Sequence, residues 1–148
     1  MAIYDNRMDI AFAGMKADSG DDRVESFPVG AAGLGLGLIC GTDANGALVA
    51  GAGTVIRGVS VHSHAALAGK DGYEQYDCAS IMTRGLIYCL VHDGGAVTKD
   101  SPVEFAANGT VSDDAGTALP NAVFRSEAIT TADQTIALVE LHHPFATA

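Results

Sequence analysis

The chain has 148 residues, and 8 basic against 18 acidic side chains give it a formal net charge of −10. This charge argues against nucleic acid as a partner, because the neutralisation of phosphates requires clustered Lys and Arg residues. The length fits one domain with a sizeable core; 48% hydrophobic residues argue against disorder, and 18 glycines disfavour helices.

Residues 1–28 are predicted to form an extended N-terminal arm. They hold six acidic and three basic side chains, with apolar residues scattered among them. A free tail would not need such apolar anchors, so the pattern favours a segment that is laid over a surface. Asp5 and Asp9 stand where a signal peptide would carry basic residues, and we therefore expect synthesis in a cytoplasm. The apolar anchors are Ile3, Tyr4, Met8, Ile10, Phe12, Met15, Val24 and Phe27.

Residues 29–148 are predicted to form a compact all-β domain, either a small β-barrel or a β-sandwich. Short apolar runs alternate with turn residues, and no stretch of a dozen residues has helical periodicity. The glycine-rich uncharged stretch at 28–42 is too short to span a membrane, so no membrane partner is predicted. The predicted strands cover residues 35–41, 54–63, 79–84, 86–92, 103–106, 122–125 and 136–142.

Leucine and glycine alternate over residues 33–38, which predicts three leucines on one face of a strand and three glycines on the other. Repeated glycine suggests that another chain segment or subunit approaches closely, so Gly33, Gly35 and Gly37 are candidate subunit contacts. The spacing fits neither the dinucleotide-binding motif nor the P-loop, so no nucleotide cofactor is predicted. Residues 86–91 are apolar without alternation, which indicates either a central strand or a second face covered by a partner.

One group of side chains could carry chemistry. Ser60, His62 and His64 would share one face of a predicted strand, and His-x-His spacing occurs in metal sites. The spacing supplies no further metal ligand, the serine lacks the glycine of a nucleophile elbow, and no oriented base is evident. We therefore predict no metal and no cofactor; a small β-domain hydrolase or metal-dependent enzyme around these residues is the alternative function. Three cysteines are expected to be buried and reduced: Cys40, Cys78 and Cys89.

Several short motifs follow one another in an order that resembles the structural cement, or decoration, proteins of tailed-phage capsids. Together they span nearly the whole chain, and the resemblance lies in their order and in the similar length. The first are Asn6-Arg7-Met8, Ala13-Gly14-Met15, Ala17-Asp18, Gly41-Thr42-Asp43 and RGVSVHSH at 57–64. The later ones are TRGLIY at 83–88, NAVF at 121–124 and ALVEL at 137–141.

This resemblance implies a non-enzymatic virion protein that binds the outer surface of the mature phage head and cements neighbouring major capsid protein subunits. It also implies synthesis in the host cytoplasm and a homo-oligomer, with a trimer near three-fold positions favoured and a dimer across two-fold axes still open. A receptor-binding or fibre module is a weaker reading, because the chain has no Trp and few other aromatic residues. By the same resemblance, the arm residues that contact the shell are Tyr4, Asn6, Arg7, Met8 and Phe12.

Overall fold

A computed structural model describes residues 11–62, 72–131, 134–144 and 146–147. All regular structure in these residues is β, so the prediction of an all-β fold is confirmed. The same residues contain no helix with the length and apolarity that a membrane crossing needs. The strands are β1 (Lys16–Pro28), β2 (Leu34–Gly35), β3 (Ile39–Thr42), β4 (Leu48–Ala50), β5 (Val55–Ser60), β6 (Gly72–Tyr73), β7 (Cys78–Leu90), β8 (Pro102–Phe105), β9 (Val111–Ser112), β10 (Thr117–Phe124), β11 (Ile129–Thr130), β12 (Thr135–His142) and β13 (Ala146–Thr147).

The long strand β7 lies at the centre of one large antiparallel sheet. One of its edges pairs with β1, and the other pairs with β5 in its first half and with β12 in its second half. The sheet continues from β5 through β3 to β4, and from β12 through β10 and β8 to β9. Strands β2 and β6 form a separate two-stranded sheet. The strand path of the described residues is open. Of the two predicted architectures, the small β-barrel is therefore not formed, and the fold resembles the β-sandwich.

Over residues 86–90, one face of β7 is buried and the other is partly buried by apolar neighbours. Strands pair with both of its edges, so β7 is the central strand that residues 86–91 indicated as one of two alternatives. One face contributes Met82, Ile87 and Cys89 to the largest apolar cluster, which also contains Phe105 and Phe124. The opposite face supplies Ala79 and Ile81 to a second cluster, and Tyr88 and Leu90 pack on a third. Residues of β7 therefore contact all three apolar clusters. This packing fixes the positions of the strands that pair with β7.

The two strands predicted at 79–84 and 86–92 are one continuous strand. Met82 and Ile87 face the same cluster although they are five residues apart, so the alternation of side chains shifts by one position between them. Gly85 lies at this shift with φ +127°, a conformation that favours glycine. Gly85, which separates the two predicted strands, thus lies inside one strand: pairing with β12 keeps its register on both sides of Gly85, and the irregularity is in the pairing with β1.

The described part of the predicted arm is joined to the sheet. Residues 16–28 form β1, which pairs with β7 from Lys16, opposite Ile87, to Pro28, opposite Cys78. Four residues of β1, 19–22, lie opposite the single residue Gly85, so the strand bulges outward there. Residues 1–10 lie outside the described residues, and the boundary between arm and domain at residue 28 stays a prediction.

The prediction of a single strand over residues 35–41 is wrong. The chain forms the short β2, turns at Leu36 and Gly37, and only then enters β3. Gly37 has φ +69°, which an extended strand does not allow. The alternation of leucine and glycine therefore does not create two uniform faces, because the turn redirects the chain in the middle of the pattern.

Candidate functional site

The first described residues, 11–15, form what we call the anchor segment. The Gly14 N–H donates to the Tyr88 carbonyl oxygen at 2.8 Å, and the Tyr88 N–H donates to the Met15 carbonyl oxygen at 3.0 Å. These two bonds extend the pairing of β1 along the edge of β7. The segment that follows residues 1–10 is therefore fixed to the central strand of the sheet.

A second set of contacts holds the opposite side of the anchor segment. The His62 N–H donates to the Gly14 carbonyl oxygen at 2.8 Å, and the Ala13 N–H donates to Gln134 Oε1 at 3.0 Å. Ala11 and Ala13 are both buried, and they form the third apolar cluster with Ile136. The buried N–H and C=O groups of the anchor segment thus have hydrogen-bond partners on both sides, as buried backbone groups need. Together with the packing of the two alanines, these bonds hold the segment in one position.

Gly37 makes the close packing of the anchor segment possible. A Cβ atom on Gly37 would stand 2.7 Å from the Ala13 Cβ and 2.7 Å from the Gly14 nitrogen. A Cβ atom on Gly14, whose φ is +85°, would stand 2.9 Å from the His62 nitrogen. These distances are shorter than a carbon atom tolerates, so both positions require glycine. The space beside Gly37 is filled by the protein's own chain.

The other two predicted subunit contacts also face atoms of the same chain. A Cβ on Gly33 would meet the Tyr73 carbonyl oxygen at 2.9 Å, and one on Gly35 would meet Leu38 Cδ1 at 2.9 Å. Gly35 pairs with Gly72 in the small sheet of β2 and β6. At Gly33 the positive φ and the backbone oxygen explain the glycine within the chain, whereas the leucine side chain beside Gly35 could move aside. A role of these glycines in subunit contact stays a prediction.

Phe12 is the predicted shell-contact residue that lies within the described part of the chain. Its neighbours Ala11 and Ala13 are buried, but Phe12 itself is 44% exposed. Its ring meets the His62 ring edge-on, with the centroids 4.8 Å apart and the planes at 69°. The anchor segment therefore presents one aromatic side chain outward, supported from one side. The other four predicted contacts lie outside the described residues: Tyr4, Asn6, Arg7 and Met8.

The possible enzyme site is not assembled in the described residues. Ser60 is fully buried; its hydroxyl donates to the Gly35 carbonyl oxygen at 2.7 Å and accepts the Leu38 N–H at 3.1 Å. It thus connects β5 to the turn that carries Gly37. His62 lies against Phe12, and His64 lies outside the described residues. Within those ranges no group of three or more His, Cys, Asp or Glu side chains could hold a metal ion.

The cysteines differ from one another. Cys40 and Cys89 are fully buried, as predicted, and burial raises the pKa of both thiols, so they remain protonated. Cys78 is exposed at the start of β7, so the prediction that it is buried is wrong. None of the three is in a disulfide.

Sequence reasoning missed the turn at residues 74–77, which we call the Tyr76 turn. Tyr76 is the most exposed large hydrophobic side chain among the described residues, at 87%, and its φ is +71°. The Asp77 N–H donates to the Glu74 carbonyl oxygen at 3.1 Å and closes the turn. Neither turn glycine nor alternation marks this segment in the sequence, so no local signal predicts the conformation.

Most Lys and Arg side chains of the described residues contact an acidic or aromatic side chain of the same chain. The pKa of Glu140 is lowered by its hydrogen bond from Arg125, and the pKa of Asp22 is lowered by its hydrogen bond from Lys16. Six Lys and Arg residues lie in the described ranges, and five of them have a partner there. The five are Lys16 with Asp22 at 2.6 Å, Arg23 with Glu25 at 3.0 Å, Arg84 with Asp21 at 2.8 Å, Arg125 with Glu140 at 2.8 Å, and Arg57 with the Phe27 ring at 5.3 Å.

The fold and the site define a class of protein: an all-β structural domain whose N-terminal end is fixed to its central strand. Comparison with known proteins then gives the family. A family model described as "Structural cement protein (E217 gp24/Pam3 gp6)" matches residues 2–142. The chain belongs to this family of phage structural cement proteins, and the resemblance that the motifs indicated is confirmed. Its role is that of a structural, capsid-binding protein.

A solved structure agrees with this fold. A chain from "The capsid of Myoviridae Phage XM1" superposes with a TM-score of 0.71 and 22% sequence identity. The match covers 96% of this chain and 98% of that one, so the two folds correspond over almost their full lengths. No curated protein matches the sequence.

Proposed function

We propose that this protein binds the outer surface of the mature phage head and cements neighbouring major capsid protein subunits, with the N-terminal arm reaching across them. The observation that carries this proposal is the anchor segment. Residues 11–15 are hydrogen-bonded on both sides, so the point at which residues 1–10 join the β domain is fixed. Ten residues of extended chain reach roughly 33 Å, which is enough to cross onto a neighbouring subunit.

The arm carries the contact residues in this proposal. Tyr4, Met8 and Phe12 supply apolar surface, while Asn6 and Arg7 supply hydrogen-bond donors for the shell. Phe12 supports this assignment because it is exposed although its two neighbours are buried. An arm combined with a compact domain gives two attachments per copy, and linked attachments strengthen one another without any new contact.

The role is non-enzymatic in this proposal. The buried Ser60 supports it, because a nucleophile must reach its substrate and this hydroxyl is bonded to main-chain atoms in the core. The net charge of −10 suits a protein that faces solvent outside the shell, and it disfavours binding to the packaged nucleic acid. A homo-oligomer, with a trimer preferred to a dimer, completes the proposal.

The test is a deletion of residues 2–10, which leaves the buried Ala11 and Ala13 in place. Binding to purified capsids assembled without this protein is measured by co-sedimentation. We expect the affinity to fall by tenfold or more, with an unchanged melting temperature. A matched control keeps the length of the arm but replaces residues 2–10 with a Gly/Ser linker; it should bind as weakly as the deletion. Affinity equal to that of the full chain in either variant would refute the role of the arm.

A further inference from the structure

The Tyr76 turn is the most unusual feature of the described surface that the proposed arm does not explain. Four non-glycine residues have positive φ in the described chain: Tyr76, Asp100, Asn121 and His143. Asp, Asn and His adopt this conformation several times more often than other residues, whereas a bulky aromatic side chain does so rarely. Tyr76 is therefore the outlier among the four.

The conformation of Tyr76 is imposed by its surroundings. The turn is closed by the bond from Asp77 to the Glu74 carbonyl, and the Glu74 N–H donates to Asp77 Oδ2 at 2.8 Å. Two further bonds fasten the turn to the buried Val29: the Tyr76 N–H donates to the Val29 carbonyl at 3.2 Å, and the Val29 N–H donates to the Asp77 carbonyl at 2.9 Å. The turn is a rigid support for whatever side chain stands at its third position.

Within the described chain, the tyrosine side chain gains little from this arrangement. It is 87% exposed, so its ring buries almost no surface. The third position of such a turn is ordinarily Gly or Asn, because these residues adopt positive φ with little strain. A strained backbone that presents an exposed aromatic ring on a rigid turn is typical of a contact with another molecule, since tyrosine is enriched among the residues that dominate binding energy.

We propose that Tyr76 is a second shell anchor, inserted into an apolar pocket with a positively charged rim on the major capsid protein. The charge of the turn favours this occupant. Asp77 is adjacent to the tyrosine and exposed, and the whole chain is strongly acidic, so a complementary surface carries Lys or Arg. A second copy of this chain fits less well, because five of the six Lys and Arg residues in the described ranges already have a partner within their own chain.

This anchor rests on the proposed capsid-binding function and adds a contact from the β domain to the contacts of the arm. A rigid aromatic side chain loses little conformational freedom when it is buried in a pocket, so most of its buried area contributes to affinity. The two attachments would then lie on different parts of the molecule: the arm for a neighbouring subunit, and the Tyr76 turn for the subunit directly beneath.

The test compares four proteins on capsids assembled without this protein: the wild type, Tyr76→Asn, Tyr76→Phe and Gln75→Ala. Asn accepts positive φ, so Tyr76→Asn should fold with an equal or higher melting temperature while its capsid affinity falls by tenfold or more. Tyr76→Phe keeps the ring, and Gln75→Ala changes an exposed neighbour in the same turn; both should bind within about threefold of the wild type. If Tyr76→Asn fails to fold, Tyr76→Gly, which also suits this backbone, takes its place in the comparison with the same expected loss of affinity.

The outcomes separate this proposal from the one on which it rests. Wild-type binding together with equally tight binding by Tyr76→Asn would overturn the anchor and leave the capsid-binding function intact. Absence of binding by the wild type would overturn both. A Tyr76→Asn protein that loses its oligomeric state in light scattering, with a proportionate loss of capsid affinity, would show that the tyrosine contacts a second copy and would also overturn the proposal.

Discussion

The anchor segment and the Tyr76 turn are both fixed by backbone hydrogen bonds and both involve residues with positive φ. They differ in what surrounds these residues: other atoms of the same chain at the anchor segment, and solvent at the turn. At the anchor segment, Gly14 and Gly37 combine positive φ with the absence of a side chain, and the chain packs against itself at distances that no Cβ would allow. At the turn, Tyr76 has a similar positive φ, which strains a residue that carries a Cβ, and its large side chain faces solvent. Positive φ at Gly14 and Gly37 thus accompanies internal packing, whereas the positive φ of the exposed Tyr76 is assigned to the proposed contact with a partner.

The substitution Gly37→Ala should have the largest effect on folding, because it adds a carbon atom at 2.7 Å from Ala13. Gly46→Ala is the matched control: Gly46 has φ +82°, but nothing lies within 4 Å of its added carbon. We expect Gly37→Ala to lower the free energy of unfolding by about 3 kcal/mol and Gly46→Ala by about 1 kcal/mol, since only the first combines strain with a steric clash. Urea unfolding measures both, and equal losses would show that the anchor segment is not packed against Gly37.

Ser60→Ala should have the next largest effect, because Ser60 holds the turn that carries Gly37. The change leaves the partly buried Gly35 carbonyl and Leu38 N–H without this partner, which costs about 2 kcal/mol in the free energy of unfolding. Ser26→Ala, at an exposed position of β1, should change stability by less than about 0.5 kcal/mol. If Ser60→Ala were as stable as the control, the structural role of this hydroxyl would be wrong.

Gln134→Ala should have the smallest effect of the three, because it removes one hydrogen bond from the anchor segment. The Ala13 N–H loses its acceptor, and we expect a loss of about 1 kcal/mol together with faster hydrogen exchange of this amide. Gln134→Glu keeps an oxygen at the same position and should preserve the protection. Unchanged exchange at Ala13 in the alanine variant would contradict the attachment of the anchor segment to Gln134.

Much of the fold could be predicted from patterns that depend only on neighbours along the chain. The runs at 103–106 and 136–142 are strands β8 and β12 because their apolar residues face a common core. Strand β1 was not predicted, because its mostly exposed residues, nearly half of them charged, lack an apolar face; it forms by pairing with β7. A charged edge strand of this kind resists association with other sheets, but its sequence resembles a solvated loop.

The candidate site could be predicted only in part, because its geometry depends on segments distant in the sequence. The repeated glycines correctly indicated close approach of another chain segment, but nothing local shows that the segment beside Gly37 is residues 13–14 of the same chain. Ser60 and His62 suggested chemistry by spacing alone, and the burial of Ser60 depends on the turn at Gly37. The strain at Tyr76 comes from bonds to Val29, almost fifty residues earlier, and so has no local signature.

The central claim is that this protein grips the outside of the shell through its N-terminal arm. Cryo-electron microscopy of capsids reconstituted with the full chain tests it most directly. We predict density for the β domain on the outer surface at junctions between capsid subunits, with residues 1–10 extending onto a neighbouring subunit. Density on the inner surface, or residues 1–10 folded back on their own β domain in the bound state, would contradict the account.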